Sequence, residues 1–164
     1  MPLPKAPPKE KEPKAQLPDS AKRLWSIGAS AGTSFYQPRF VGTVQGTLAV
    51  SRYTFIDIGA DIGLGSGYSD VDYLSFYPFT HYAAFVPFSV KSGWYIGAGL
   101  GYLLAQYSFP EGDVMDTTFA FDLCTGFVIR NIFTISYNLR TNGSSADSKL
   151  ALGIIYRFGQ RGSR

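Results

Sequence analysis

At 164 residues the chain is long enough for one closed barrel or sandwich, and its 11 Tyr, 13 Phe, 2 Trp and 18 Gly suit a β-protein with close backbone approaches. No run of about 18 uninterrupted apolar residues occurs, so no transmembrane helix is indicated, and the single Cys124 excludes an internal disulfide or a cysteine metal cluster. The net charge of +3 is uneven: residues 1–23 hold Lys5, Lys9, Lys11, Lys14, Lys22 and Arg23 against Glu10, Glu12 and Asp19, while residues 24–158 hold seven basic and nine acidic residues with no concentrated basic patch, which argues against nucleic acid as a partner.

Residues 1–23 carry six of the ten prolines, interleaved with Lys and Glu. Such a segment buries too little apolar area to offset its ordering entropy, so it is expected to be a disordered or polyproline-like tail. It has no apolar core segment and does not read as a signal peptide. Pro2, Pro4, Pro7 and Pro8 allow a proline-rich docking motif, although a spacer accounts for them as well.

Eight alternating segments follow. In a strand, successive side chains point to opposite faces. Leu24–Thr33 sets Trp25, Ile27, Ala29 and Ala31 against Ser26, Gly28, Ser30 and Gly32. Thr43–Arg52 sets Val44, Leu48 and Val50 against Gln45, Thr47 and Ser51. The clearest is Phe55–Gly65, with Ile56, Ile58, Ala60, Ile62 and Leu64 on one face and Asp57, Gly59, Asp61 and Gly63 on the other. The fourth, Tyr73–Phe88, is broken by Pro78 and Pro87, so a bulge is expected and the facing of Tyr77, Phe79 and His81 stays open.

Trp94–Tyr107 sets Trp94, Ile96, Ala98, Leu100, Tyr102 and Leu104 against Gly97, Gly99 and Gly101. Thr118–Ile129 sets Phe119, Phe121, Leu123, Phe127 and Ile129 against Ala120, Asp122, Cys124 and Gly126. Ile132–Thr141 and Lys149–Phe158 close the series with Phe133, Ile135, Tyr137, Leu139, Leu150, Leu152, Ile154, Tyr156 and Phe158 on the apolar face. Short connections at Tyr53-Thr54, Ser89–Gly93 and Arg130-Asn131 alternate with longer polar ones at Ser34–Gly42, Ser66–Asp72, Ser108–Thr117 and Asn142–Ser148. This is an up-and-down meander, and an even strand count lets its first and last strands pair.

An eight-stranded barrel has a lumen only just wide enough for side chains to fill. Roughly forty large apolar groups, five per strand over spans of about ten residues, do not fit in it, whereas glycine and short polar residues do. The apolar face is therefore expected to look outward, towards lipid. Trp25, Phe55, Trp94, Phe133, Tyr156 and Phe158 collect towards the short-turn side as an aromatic girdle would, and Phe35, Tyr36, Tyr68, Tyr73, Tyr107 and Phe119 towards the long-loop side.

Leu152-x-Ile154-x-Tyr156-x-Phe158 resembles the C-terminal assembly signal of bacterial outer-membrane β-barrels, alternate apolar residues closing on an aromatic. Trp94-Tyr95-Ile96-Gly97-Ala98-Gly99-Leu100-Gly101-Tyr102 resembles a strand common in the small OmpA/OmpX-like barrels of Gram-negative bacteria. The resemblance covers residues 24–158 and departs at Gly159–Arg164, which follow the terminal aromatic. It implies an all-β, eight-stranded antiparallel up-and-down transmembrane β-barrel behind a disordered N-terminal tail. It also implies outer-membrane lipid and the barrel-assembly machinery as partners, with tail and short turns periplasmic and long loops extracellular.

Asp57, Asp61, Asp122, Arg140, Lys149 and Arg157 fall on the inward face. They form either an ion-pair network or a narrow path for ions, with Arg157 and Asp57 near the short-turn end and Arg140 and Lys149 near the loop end. Arg39, Asp70, Asp72, Glu111, Asp113 and Asp116 are candidate loop contacts to host or cell-surface molecules. No calcium-loop spacing is present among the acidic residues. His81, the only histidine, excludes a histidine metal cluster and is expected at a polar or interfacial position. Asp57 and Asp61, about 13 Å apart at strand rise, are too far apart to cooperate as a hydrolase pair. No G-x-S-x-G elbow occurs. The expectation is a non-enzymatic barrel without cofactor or metal, structural or adhesive through its loops. A narrow channel and a soluble barrel carrying a lipophile stand as alternatives.

Overall fold

A computed structural model describes residues 24–35, 38–65, 72–89, 91–110 and 112–158. Eight strands follow one another: β1 (Ser26–Ser34), β2 (Phe40–Ala49), β3 (Thr54–Leu64), β4 (Asp72–Ser89), β5 (Ser92–Phe109), β6 (Gly112–Ile129), β7 (Phe133–Thr141) and β8 (Ala146–Arg157). Each pairs antiparallel with the next, and β1 pairs with β8 from Ser26↔Arg157 to Ser34↔Lys149, closing the barrel. The tail 1–23, the tail 159–164, Asp70 and Glu111 lie outside the described residues.

The aliphatic face looks outward on every strand. Ile27, Val44, Ile58, Ile96, Phe121, Leu123, Leu152 and Ile154 are each at least half exposed, while Asp57, Asp61, Asp122, Lys149 and Arg157 are buried. This facing is the reverse of what a soluble lipophile carrier needs. The strand-four ambiguity resolves as well. Tyr73, Ser75, Tyr77, Phe79, His81, Ala83 and Phe85 alternate inward without interruption. Pro78 takes an outward position opposite Ala60, and the register shift falls between Pro87 and Ser89.

The lumen holds more than glycine and short polar groups. β4 supplies a column of rings, with Tyr77 stacked near Phe79 at 6.3 Å and Phe79 on His81 at 4.6 Å. Space for this column comes from β5, whose Gly97, Gly99 and Gly101 are the register partners of Ala83, His81 and Phe79. A Cβ on Gly97 would lie 2.6 Å from that of Ala83, and one on Gly101 would overlap the Tyr77 ring. The glycines are thus the seats of their neighbours' side chains.

At the short-turn end, Leu24, Phe55, Ala83, Phe85 and Val128 form an apolar plug with Tyr95 and Ile155 against it. Phe55 accordingly leaves the expected girdle. It is 7% exposed and meets the Tyr95 ring edge-on at 6.0 Å. Its odd position puts it on the same face as Asp57 and Asp61, and that parity prevails over its place near the strand end. Trp25, Phe133, Tyr156 and Phe158 do lie exposed on the outside, and Trp94 lies half-buried with Nε1 donating to Thr125 Oγ1 at 2.8 Å.

The strands are unequal. β4, β5 and β6 have 18 residues each, β1 and β7 only 9. The β6–β7 pairing begins at Phe121↔Thr141, whereas β6 stays paired with β5 up to Phe109↔Gly112. Over residues 112–120, β6 therefore has β5 as its one strand neighbour among the described residues, a rise of about 30 Å at strand geometry. Asp72, Asp113 and Asp116, expected in loops, stand on strands for this reason. The β5–β6 connection is a tight hairpin because the pairing of Tyr102–Phe109 with Gly112–Phe119 consumes the segment expected to be a loop. Likewise β8 begins at Ala146, so only residues 142–145 turn there, around Asn142 Oδ1, which accepts from the Ser144 and Ser145 amides.

Candidate functional site: the lumen network and the loop-end vestibule

One register row runs across the barrel wall: Asp57↔His81, His81↔Gly99, Gly99↔Asp122, Asp122↔Arg140 and Arg140↔Asp147. The strands tilt, so the row climbs from Asp57 at the lower cavity to Asp147 at the loop end, and its inward side chains follow one another along the lumen. His81 Nε2 lies 3.1 Å from Asp122 Oδ2 and its Nδ1 lies 3.5 Å from Asp57 Oδ2. Asp122 also accepts from Tyr77 Oη at 3.0 Å and from Arg140 Nε at 3.4 Å.

Arg140 continues the chain upward. Its Nη2 donates to Asp61 Oδ2 at 2.9 Å, and the guanidinium stacks 3.3 Å from the centre of the Tyr77 ring. Asp61 accepts from Lys149 Nζ at 2.7 and 2.8 Å and from Thr43 Oγ1 at 2.6 Å. The carboxylates of Asp61 and Asp122 are thus surrounded by donors, as buried charges must be. Asp57, Asp61, Asp122, Arg140 and Lys149, all expected inward, join in one network, with His81 and Tyr77 as members that the sequence does not mark.

Arg157 lies at the short-turn end. Its guanidinium carbon lies 5.3 Å from the centre of the Phe85 ring, and it lines a small lower cavity of about 30 Å3 together with Asp57, Gln45 and Thr134. Leu24 closes this cavity from below, its carbonyl accepting from Thr47 Oγ1. Cys124 is buried on the inward face of β6.

Above the network the barrel opens into a vestibule of about 320 Å3. Its walls include Leu103, Tyr73, Tyr107, Asp116 and Asp147, with Arg140 at its base. Tyr73 and Tyr107, expected only as loop-end aromatics, turn inward and meet edge to face at 4.9 Å. Of the candidate loop contacts, Asp116 faces this vestibule and Asp113 accepts from Gln106 Nε2 at 3.2 Å. Arg39 sits outside the rim, its amide donating to the Gly65 carbonyl at 3.2 Å. No family model and no curated protein matches the chain.

Solved structures do match. Neisserial surface protein A (NspA) superposes with a TM-score of 0.65 at 13% identity, over 82% of this chain and 96% of that one. The N-terminal β-barrel domain of Pseudomonas aeruginosa OprF gives 0.63 at 10% identity, over 81% and 97%. Ail, the attachment invasion locus protein of Yersinia pestis, gives 0.52 at 14% identity, over 82% and 96%. At such identities the likeness is one of fold, and the fold is that of the small outer-membrane β-barrels.

Proposed function

We propose that the chain is a non-enzymatic outer-membrane barrel whose role is structural or surface-interacting and is exercised at its loop end. Short turns and the Pro/Lys tail face the periplasm in this reading, and Leu152, Ile154, Tyr156 and Phe158 serve recognition by the assembly machinery. The exterior supports a lipid setting. A continuous belt of aliphatic and aromatic side chains has no favourable contact with water, and a closed sheet leaves no backbone edge within it.

The observation that carries the surface role is the wall of β5 and β6 rising past β7. Residues 112–117, 119 and Phe109 are exposed along it, with Val114 at 53% and Met115 at 72%. An extended strand with one edge free offers backbone donors and acceptors to a partner. Asp113 and Asp116 discourage pairing of two such edges from identical chains, since like charges would be brought together.

The test is a barrel in which residues 104–117 are replaced by an Asn-Gly turn joining the register partners Leu103 and Thr118. Cells displaying the full barrel should adhere to host-cell monolayers or resist detergent better than cells without it. The shortened barrel, still shifting in gel mobility on boiling, should lose adhesion and retain detergent resistance. Equal adhesion by the two barrels would overturn the surface role, and no difference between barrel-bearing and barrel-free cells in either assay would overturn the whole proposal.

A further inference from the structure

Charge around the loop-end vestibule does not balance. The vestibule and the network beneath it hold five carboxylates, Asp57, Asp61, Asp116, Asp122 and Asp147, against two permanent cations, Arg140 and Lys149, with His81 between Asp57 and Asp122, so negative charge is in excess. Both cations are already engaged below: Arg140 by Asp61 and Asp122, Lys149 by Asp61. Asp147 accepts from Ser34 Oγ and from the Ser148 amide, neutral donors that leave its charge in place. Of the cations, Arg140 alone lines the vestibule with Asp116 and Asp147 among the described residues, and it is already held by Asp61 and Asp122.

The walls say what kind of cation fits. Apolar surface dominates the lining, with Leu103 and the Tyr73–Tyr107 pair along the β4–β5 side. A bare metal ion needs several oxygen ligands held close together, and no group of three His, Cys, Asp or Glu side chains is suitably placed among the described residues. An organic cation with a diffuse charge needs no such shell. It gains from tyrosine faces and from carboxylates at a few ångströms' remove, and it loses little on leaving water.

The geometry points to the vestibule as a binding site for a small organic cation of the quaternary ammonium class, its head against the Tyr73–Tyr107 pair and its charge answered by Asp116 and Asp147. A volume of 320 Å3 accommodates such a head together with a short hydroxyalkyl or aromatic body. The site lies inside the rim and goes beyond the surface role proposed above, while drawing Tyr107 and Asp116 from the same β5–β6 wall.

The experiment uses the full-length barrel refolded in octyl glucoside, because choline-headed and amine-oxide detergents would themselves compete. Choline chloride is titrated while amide shifts are followed by NMR, alongside its uncharged isostere in which tert-butyl replaces trimethylammonium. Saturable shifts confined to Tyr73, Tyr107, Asp116, Asp147 and their neighbours are expected, with the isostere about tenfold weaker. Asp116→Asn removes an exposed charge and should weaken choline binding about fivefold without disturbing the rest of the spectrum. Tyr107→Leu should weaken it independently, and a boiling-dependent gel shift certifies that each variant is folded. Absence of saturation in the folded wild type, equal affinity for the isostere, or an unchanged affinity in folded Asp116→Asn would each overturn the proposal.

Discussion

His81 and Asp122 stand on strands that do not pair with each other, β4 and β6, and their side chains meet at 3.1 Å across Gly99 of β5. Only a residue without a side chain allows this. A Cβ at Gly99 would overlap the His81 ring and come within 2.8 Å of His81 Cα, so the backbone as well as the ring would have to move. The histidine's central place in the network therefore depends on the missing side chain of its register partner.

Gly99→Ala should accordingly destabilise the barrel by about 2–3 kcal/mol, the upper range for overpacking a filled interior. Urea unfolding in phospholipid vesicles measures it. Ala98→Gly, one position along and facing outward, should cost much less. Equal effects at the two positions would show that strand propensity, and not the seat for His81, sets the value.

Asp122 is the hub of the network, accepting from Tyr77, His81 and Arg140. Asp122→Ala leaves two basic groups facing an apolar gap and should cost about 3–5 kcal/mol, as breaking a buried pair does. The double variant Asp122→Ala, Arg140→Ala should recover about 0.5–3 kcal/mol of that sum. Strict additivity would mean that the pair contributes no direct coupling.

The turn between β6 and β7 carries a local cost. Ile132 N donates to Ile129 O at 3.1 Å, and the two central residues, Arg130 and Asn131, have φ of 54° and 58°. Positive φ at both positions is the hairpin turn that matches strand twist, and it costs Arg more than Asn. Arg130→Gly should raise stability by about 0.5–1 kcal/mol, the left-handed strain relieved less the added chain entropy of glycine. A drop in the unfolding midpoint would mean that the guanidinium holds the turn by contacts worth more than the strain.

The lumen reading makes a conductance prediction. Among the described residues Tyr77, His81 and Asp122 are the largest fully buried side chains, and they lie beneath the vestibule. The wild-type barrel should be silent in planar bilayers, and Tyr77→Ala combined with His81→Ala should admit small ions. Steady wild-type conductance would favour the channel alternative and make Asp122 and Arg140 parts of its filter.

Much of this architecture is legible in the sequence because a period of two is hard to disguise over eight strands. The Asp57–Asp61 face of β3 and the glycine face of β5 mark inward sides without any tertiary information. The β4 facing was not legible. Its Tyr, Phe, Pro and Ala residues are apolar on both sides, so alternation alone gives no contrast, and the partner glycines that fix Tyr77 and His81 lie on another strand. Phe55 reads as a girdle residue because it lies near a strand end, whereas its parity places it inside. The Asp113 and Asp116 segment reads as a loop because its polar composition is that of a loop, and only pairing with β5 turns it into strand.

The outward belt can be tested by a single charge. Leu123 is 59% exposed on β6, between the inward Asp122 and Cys124, and its register partners Ala98 and Leu139 also face outward. In a soluble protein an arginine at such an exposed position would cost little, since its head would reach water. In a bilayer the same arginine near the midplane should cost about 2–4 kcal/mol, falling towards the interfaces. Leu123→Arg should therefore lower stability strongly in vesicles, and Tyr156→Arg, near the short-turn end, only weakly. Repeating both in thinner bilayers should shrink the difference, because the hydrocarbon boundary then lies closer to Leu123. A cost that is the same at both positions and insensitive to thickness would mean that the aliphatic face does not meet lipid.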